Sequence, residues 1–521
     1  MKKLLLFFWL LLTQSSISQS IEWLRLFDVH SQNALGGLSK NTIKDEYDNL
    51  ISPVVEGDIL KIYRFDAQGN EISLLNTQRT CGQFSPITKV SPGQYAIVFD
   101  TTPSATNAHY KLLYFNSDFE ILQELELDFP ISGFFTFSSF FAHNGSLYFT
   151  VFTDTDQLIY TLNSANELVL KHTAPVANAY TERIKALSNG NFIIDYGERL
   201  NHQLRCISPQ TGQLIWTREF VNTTFNTYQL DYRTILGENQ TIYHAGLERT
   251  WVSGVANDVI KFRAIHTENG NLIQERTFSL TDGGTDKIDD LRYNPVNQHL
   301  YVSYLSNGTI EDEVVIELDL NFNLVHQARL AYTYDSLSAW VNSKIVIRDN
   351  GGLIFIYTNY KNEAENGNLH IVNMNADLSI NGALELNIAP KNSSEAFSHA
   401  FLYDQDRLFI TGYVPNANPM IGFEEVQYYL AMVNVDRLLN TENQNPTANL
   451  VVRINPATET LVIDENMAFQ NVAFFDTLGK LIRLDEFASN TYDISGLSSG
   501  IYIIQAIDQN GQTLHGKFIK D

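Results

Sequence analysis

The chain has 521 residues and a formal net charge of −24 at pH 7. At about 150 residues per domain, this length excludes a single small domain, and the acidic balance speaks against binding to nucleic acid or to an anionic membrane surface. With 44% hydrophobic and 12% aromatic residues, the chain has enough apolar surface for a folded core, which excludes a disordered protein. Its two cysteines, Cys81 and Cys206, are too few for a disulfide framework or a structural zinc site.

The N-terminus has the layout of a secretory signal peptide. A basic pair, Lys2 and Lys3, precedes an apolar run over residues 4–12. This run is too short for a membrane-spanning helix, which needs about twenty apolar residues. Small residues then lead to Ser18 and Gln19, so we predict that residues 1–18 direct export and that cleavage falls between these two residues. No comparable apolar run follows, so we expect no transmembrane anchor in the mature chain.

One pattern recurs from residue 50 onwards, at steps of about fifty residues. Each copy has a strand rich in Tyr, Ile, Leu and Phe, a polar turn and a second short apolar segment. A further strand precedes most copies, so the strands form antiparallel pairs. The eight copies align at the turn, and the aligned positions are Gly69, Phe119, Asn166, Gly212, Gly270, Phe322, Leu378 and Arg437.

These repeats predict an all-β fold. Amphipathic helical periodicity is almost absent, and Gly-rich turns punctuate the chain. Antiparallel units of this length fit the four-stranded blades of a β-propeller, which we predict for residues 19–440. The alternative is a row of β-sandwiches, which would not keep one strand and turn signature at a steady step.

The two ends of the repeat region predict how the ring closes. A lone strand at Ile21–Phe27 precedes the first pair, and the last copy, at 429–439, lacks an outer strand of its own. If the N-terminal strand completes the blade built from residues 403–439, the propeller has eight blades. Seven blades is the alternative.

The segment from Gln210 to Trp216 resembles the repeats of quinoprotein-type propellers, in which a Gly-containing turn precedes a strand that ends near a Trp. The resemblance spans residues 21–440, with degenerate motifs. Quinone-dependent dehydrogenases of that class typically have a pair of adjacent cysteines and a calcium site. Cys81 and Cys206 are far apart in this sequence, so the resemblance implies the fold and argues against the quinone chemistry.

A second module follows the repeats. The polar segment TENQNPT at 441–447 predicts a linker. After it, seven short apolar runs predict a small immunoglobulin-like β-sandwich over residues 448–521. These runs lie near 450–454, 460–463, 471–475, 480–484, 491–494, 500–507 and 513–519.

This module contains Asn-Pro-Ala near its start, then Asp-x-x-Gly-Lys, Gly-Ile-Tyr and a last strand with two lysines. It resembles the type A sorting domain of the type IX secretion system of Bacteroidetes, although Ile454 stands where that family usually has a proline. The resemblance implies that the secretion machinery is a partner and that the chain crosses both membranes, to be released or attached at the cell surface. The matching positions are Asn455, Pro456, Asp476, Gly479, Lys480, Gly500, Tyr502, Lys517 and Lys520.

No sequence motif predicts a catalytic residue. Gly496–Gly500 matches G-x-S-x-G, but a strand follows it, whereas a nucleophile elbow leads into a helix. The chain has no H-E-x-x-H motif, phosphate-binding P-loop or G-x-G-x-x-G motif. We therefore expect an ordinary turn there, and the sequence leaves enzymatic activity open while favouring its absence.

Acidic clusters supply the only candidate metal ligands. Asp154–Asp156, Asp282–Asp286 and Asp289-Asp290 offer the hard oxygen atoms that calcium prefers, but not the spacing of an EF-hand. We expect solvated loop charges at these positions and no cofactor, with calcium as the one candidate. The histidines show no paired spacing, and we expect surface or blade-face positions for them; they include His143, His202, His244, His299 and His399.

These observations favour a secreted or cell-surface propeller that acts as a binding or scaffold module for a glycan or a protein. The alternative is a propeller enzyme, a glycan hydrolase or lyase, whose paired carboxylates would come from different blades. The spacing of residues along the sequence does not distinguish the binding module from the enzyme.

Overall fold

The structure is a computed structural model in which the described residues form two compact units, one within Met1–Leu439 and one within Asn440–Asp521. The described residues are 20–29, 42–101, 109–131, 135–153, 155–175, 183–197, 201–221, 227–238, 240–252, 255–280, 287–307, 311–331, 343–359, 368–386, 396–415, 426–438, 452–455, 460–463, 469–476, 481–482, 484, 486–488, 490–498, 500–508 and 513–520.

The first unit consists of eight four-stranded antiparallel sheets, numbered here as blades 1 to 8. The N-terminal strand β1 (Ile21–Val29) belongs to blade 8. Blades 1 to 7 are meanders of four consecutive strands each. Blade 1 contains β2 (Ile43–Lys44), β3 (Leu50–Glu56), β4 (Ile59–Phe65) and β5 (Glu71–Thr80). Blade 2 contains β6 (Thr88–Ser91), β7 (Gln94–Asp100), β8 (Tyr110–Asn116) and β9 (Ile121–Leu127). Blade 3 contains β10 (Phe135–His143), β11 (Ser146–Thr153), β12 (Asp156–Leu162) and β13 (Leu168–Pro175).

The same order continues through the second half of the ring. Blade 4 contains β14 (Arg183–Ala186), β15 (Phe192–Gly197), β16 (Asn201–Ile207) and β17 (Leu214–Val221). Blade 5 contains β18 (Thr227–Leu236), β19 (Thr241–Val252), β20 (Val255–His266) and β21 (Leu272–Ser279). Blade 6 contains β22 (Ile288–Asn294), β23 (His299–Asn307), β24 (Glu311–Leu318) and β25 (Leu324–Ala331). Blade 7 contains β26 (Ser343–Ile347), β27 (Leu353–Asn359), β28 (Asn368–Met374) and β29 (Ile380–Leu386).

Blade 8 joins the two ends of the repeat region. Its strands β30 (Ala396–Leu402), β31 (Arg407–Pro415) and β32 (Val426–Asn434) are completed by β1, which pairs antiparallel with β32. The pairing is extended by a hydrogen bond from Asn434 N to Ser20 O (2.7 Å). The predicted eight-bladed propeller is therefore confirmed, and the seven-bladed alternative is wrong. Closure through β1 pairs the strand edge that β32 would otherwise expose.

The first strand of each blade is the innermost one. Asp231 on β18 accepts a hydrogen bond from the backbone nitrogen of Ile288 on β22 (3.1 Å), and Asp290 on β22 accepts one from Ile345 N on β26 (3.0 Å). These contacts place the first strands of consecutive blades side by side. The fourth strands form the outer rim, where β21, for example, has no buried residue.

One face of the ring, called the turn face here, carries the connections between first and second and between third and fourth strands, since successive strands run in opposite directions. The other face, the loop face, carries the connections between second and third strands and between blades.

Local turn chemistry explains the repeated signature. In the turn between β4 and β5, the Asp66 carboxylate accepts hydrogen bonds from the backbone nitrogens of Gln68 (2.9 Å) and Asn70 (2.8 Å), and Gly69 adopts a φ of 75°. Seven of the eight aligned turn residues have positive φ, namely Gly69, Phe119, Asn166, Gly212, Gly270, Phe322 and Leu378. The eighth, Arg437, lies instead in a short 3₁₀ helix, Val435–Arg437, because blade 8 has no fourth strand at that point in the chain.

The second unit is a β-sandwich of two four-stranded antiparallel sheets. One has the order β33 (Val452–Asn455), β34 (Thr460–Ile463), β38 (Thr491–Asp493), β37 (Glu486–Ala488); the other has the order β36 (Leu481–Ile482), β35 (Phe469–Asp476), β39 (Gly500–Asp508), β40 (Thr513–Lys520). Phe474 and Tyr492, one from each sheet, are buried with ring centroids 4.8 Å apart. The sandwich has eight strands rather than the seven predicted, because β37, a short strand at the sheet edge, has no apolar run of its own.

Candidate functional site

The C-terminal module gathers much of its predicted sorting motif at one end of one sheet. Asp476, the last residue of β35, pairs with Tyr502 on β39, and Gly500 pairs with Lys520 on β40. Lys517 pairs with Ile503 on the same strand pair. Residues up to 44 positions apart in sequence, from 476 to 520, therefore lie together because β35, β39 and β40 are adjacent strands.

The segment before β39 is fixed to this end of the sheet. The buried Tyr502 side chain donates a hydrogen bond from its hydroxyl to Ser498 O (2.7 Å). Hydrogen bonds from the backbone and side chain of Ser495 lower the pKa of Asp493, and the cation of Lys520 adds a smaller contribution. Ser495 and Gly496 form a turn closed by a hydrogen bond from Leu497 N to Ile494 O (3.1 Å), and strand β39 begins at Gly500, so the G-x-S-x-G segment has the strand context expected of an ordinary turn.

The other predicted sorting-motif and cleavage positions lie in the other sheet or outside the described residues. Asn455 ends β33, in the other sheet of the sandwich. The predicted cleavage residues and the remaining motif positions lie outside the described residues; they are Ser18, Gln19, Pro456, Gly479 and Lys480. Their roles stay predictions.

In the described part of the propeller, a buried polar cluster lies between blades 4 and 5. His202 Nε2 lies 2.5 Å from Asp195 Oδ1, and His202 Nδ1 lies 3.2 Å from His244 Nε2. All three side chains are buried. The rings of Tyr232 and Phe220 stack on His202, with centroid distances of 3.8 and 5.1 Å. Burial, followed by the charges of His202 and Arg263, lowers the pKa of His244 well below its usual range, so His244 is neutral at pH 7.

Arg263 continues this cluster across blade 5. Its Nη2 donates to Glu248 Oε1 (2.9 Å) and its Nε to Glu275 Oε2 (2.6 Å), while its guanidinium lies 4.7 Å from the centroid of the Phe220 ring. A carboxylate–histidine–histidine–arginine chain is thus complete inside the ring. Sequence spacing did not reveal it, because His202 and His244 are 42 residues apart and meet only through the packing of two blades.

A second polar feature is a pair of buried carboxyl groups in blade 6. Glu313 on β24 is fully buried, and its carboxyl oxygens make no hydrogen bond of normal geometry among the described residues. Burial and then the charge of Asp289 raise the pKa of Glu313 well above its usual range, and the nearby Ser343 side chain lowers it by a smaller amount. Burial also raises the pKa of Asp289, whose Oδ1 lies 2.8 Å from Lys287 Nζ. Burial therefore favours the protonated, neutral form of Glu313.

The position of Asp289 corrects an expectation. Asp289 and Asp290 were expected to be solvated loop charges, but both belong to strand β22 and are only 9% exposed. The register of β22 against β23 shifts between Ile288 and Asp290, and this bulge alters the side-chain alternation at Asp289. The acidic residues Asp154 and 282–286 lie outside the described residues.

A third cluster lies near the turn face of blade 6. The buried Glu317 carboxylate accepts hydrogen bonds from the hydroxyl of Tyr301 (2.8 Å) and the amide of Asn297 (3.0 Å). His299 Nδ1 and His326 Nδ1 lie 2.6 and 2.5 Å from its two oxygens. Glu317 thus lies on the same strand as Glu313, four residues further along. Unlike Glu313, it has hydrogen-bond partners at both carboxylate oxygens.

The remaining candidates for chemistry are inaccessible or absent in the described part of the chain. Cys81 and Cys206 are free and buried. Burial raises the pKa of both thiols, that of Cys206 to about 11, which leaves them unreactive at pH 7. No group of three or more His, Cys, Asp or Glu side chains is arranged to hold a metal ion within the described ranges. The calcium expectation therefore stays a prediction.

The comparison with known protein families agrees with the predicted C-terminal sorting domain. Residues 455–521 match the family described as secretion system C-terminal sorting domain. No curated protein matches the chain. Among solved structures, the Dos1 propeller is 11% identical, with a TM-score of 0.43, 80% of this chain covered and 95% of that one. A eukaryotic initiation factor is 10% identical (TM-score 0.40; 76% and 86% covered), and the periplasmic gluconolactonase PpgL of Pseudomonas aeruginosa is 15% identical (TM-score 0.39; 64% and 94% covered).

Fold and family match together define the class of this protein: an eight-bladed β-propeller followed by a sorting module. The module is a C-terminal sorting domain of the type IX secretion system, and it indicates export to the cell surface or the surrounding medium. Across the described residues, no helix has the length and apolar character needed to span a membrane.

Proposed function

We propose that the propeller is a non-enzymatic binding or scaffold module, which the sorting domain delivers to the outside of the cell. This proposal is supported by the pairing of the ring's acidic and basic side chains with one another. His202, His244 and Glu317 are partnered in clusters inside or between blades, and the first two are fully enclosed. These groups stabilise the ring and are not placed to meet a substrate.

Rigidity supports the same role. Closure of blade 8 by β1 gives a ring without an open seam, and the tight turns of one face are fixed by local hydrogen bonds. A rigid scaffold of this kind presents binding groups with little loss of conformational entropy. Binding needs no activated nucleophile, so the buried thiols and the neutral His244 are compatible with it.

A second candidate function is glycan hydrolysis, and the pair of Asp289 and Glu313 favours it. Glycosidases use one carboxyl group that stays protonated and a second carboxylate near it. Glu313 has the raised pKa of such an acid, and Asp289 is close enough to contribute to that shift. Both groups are buried, however, and this burial weighs against access by a sugar chain.

The test separates the two candidates with one preparation. The secreted protein is purified from culture medium and applied to arrays of glycans and of cell-surface proteins, and each bound ligand is then incubated with the protein and analysed by mass spectrometry. We expect bound ligands to be recovered unchanged. Shortened or unsaturated glycan products that disappear in Glu313→Gln would overturn the binding proposal in favour of the enzyme.

A further inference from the structure

A cleft of about 680 Å³ lies at the seam where the ring closes. One side is formed by Arg25, Leu26 and Phe27 of β1, the outermost strand of blade 8. The other side is formed by strands β4 and β5 of blade 1. Its volume falls in the range of ligand-binding sites, about 300–1,000 Å³. It lies between the outer strands, away from the central channel.

The apolar part of the cleft is a continuous set of aromatic rings. Tyr63 and Phe65 are stacked, with an interplanar angle of 9° and centroids 5.6 Å apart. Phe27 lies 5.1 Å from Tyr63, and Trp23 packs behind Phe65 at 6.2 Å. Tyr63 and Phe65 are buried, at 7% and 2% exposed, so the half-buried Phe27 of β1 supplies the aromatic surface that faces the cleft. A ring face of this kind packs against the C–H face of a sugar ring.

The polar part of the cleft offers both donors and acceptors. Lys61 Nζ lies 2.7 Å from Glu56 Oε2, and the Tyr63 hydroxyl donates to the same carboxylate. Arg25 is held in place by two hydrogen bonds from its guanidinium to Gly69 O (3.1 and 2.8 Å). Glu71 completes the polar edge. Each hydroxyl group of a sugar both donates and accepts, so it needs both kinds of partner.

Charge decides the class of ligand. The cleft contains two cationic side chains, Arg25 and Lys61, and two carboxylates, Glu56 and Glu71, so its formal charge is zero. The chain as a whole carries −24, which repels polyanions at long range. A neutral polyhydroxylated ligand fits this lining better than a charged one.

We propose that the cleft between β1 and β4–β5 binds a short segment of a neutral polysaccharide. The proposal rests on the proposed binding function and names its ligand class and its site. Phe27, backed by the buried Tyr63 and Phe65, packs against a sugar ring, while Lys61 and Glu71 hydrogen-bond the hydroxyl groups of the sugar. Because one wall belongs to β1, the site forms only when the N-terminal strand has closed the ring.

The test measures affinities of the secreted full chain for four neutral hexasaccharides, those of cellulose, xylan, mannan and starch, by titration calorimetry. We expect at least one to bind, and we expect Lys61→Gln and Glu71→Gln each to weaken binding about tenfold or more, the loss typical of one hydrogen bond to a charged group. The matched control is Lys111→Gln. Lys111 lies at the corresponding strand of blade 2, is similarly exposed and pairs with Glu124 at 2.7 Å, but does not line the cleft.

The outcomes distinguish this proposal from the broader one. If none of the four sugars binds, or if one binds with an affinity that neither cleft variant changes, the cleft proposal is wrong, and a ligand found on the arrays would still support a binding function. If a sugar binds, is weakened by both variants and is also cleaved, the cleft proposal stands and the non-enzymatic function fails. Melting temperatures of all three variants establish that each is folded.

Discussion

The most direct test of the ring's architecture is the contact of Trp23 with the first turn of blade 1. Trp23 Nε1 donates to Ala67 O (3.1 Å), and its indole covers Gly69 so closely that an added Cβ would lie 2.5 to 2.9 Å from three ring atoms. Gly69→Ala combines two costs. A φ of 75° costs a non-glycine residue about 1–2 kcal/mol, and forcing a methyl group into a packed site costs about 1–3 kcal/mol. We expect a total loss of about 2–5 kcal/mol.

Comparison with Gly145→Ala separates the backbone cost from the packing cost. Gly145 also has a φ of 75°, but a Cβ built on it meets nothing within 4 Å, so only the backbone cost of about 1–2 kcal/mol applies. Urea unfolding of the secreted protein, followed by circular dichroism, gives both values. If Gly69→Ala costs no more than Gly145→Ala, the Trp23 contact does not stabilise the closing seam and our account of it is wrong.

The remaining predictions concern buried ionisable groups and the sorting module. Because the folded state holds the Glu313 proton to a higher pH than the unfolded state does, stability should fall as pH rises above about 4.5, by at most about 1.4 kcal/mol per pH unit. Melting curves from pH 5 to 9 should show a smaller fall in Glu313→Gln than in the unchanged protein; equal slopes in the two would contradict the assignment. The lowered pKa of His244 acts in the opposite sense, since the unfolded state binds the extra proton, so stability should fall as pH drops below about 6.5, and His244→Gln should reduce that fall between pH 7 and 5. Tyr502→Phe removes the hydrogen bond to Ser498 O and should cost about 0.5–1.5 kcal/mol in thermal unfolding of the full chain; an unchanged melting curve of the sandwich would show that this bond contributes nothing.

Sequence information was sufficient for the repeated part of the fold because that part is determined locally. A polar residue that bonds to the backbone two and four positions later, as Asp66 does, and a residue in the left-handed region, such as Gly69, fix each hairpin within a few positions. The lone N-terminal strand and the incomplete last copy then predicted closure. Both signals are visible in a single sequence.

The buried clusters could not be predicted in the same way. His202 contacts His244 only because blades 4 and 5 pack face to face. The side-chain alternation at Asp289 is changed by a β-bulge for which the sequence gives no signal. One signal was available. Asp195 is a charged residue within the otherwise apolar strand Phe192–Gly197, the pattern expected of a buried polar contact.

The packing between blades explains why the repeat spacing is regular while its residues vary. Trp216 Nε1 of blade 4 donates to Thr267 O in the turn of blade 5 (2.9 Å), as Trp23 of blade 8 does to the turn of blade 1. At other interfaces a smaller side chain of the fourth strand reaches the same place: His172 Nδ1 lies 3.0 Å from Gly212 O, and Gln274 donates to Asn321 O (2.9 Å). The common requirement is a polar nitrogen within reach of the next turn's carbonyl oxygen, which tryptophan, histidine and glutamine all satisfy. Selection for that geometry constrains the distance between blades more than the identity of the residue, so the period persists where the motif degenerates.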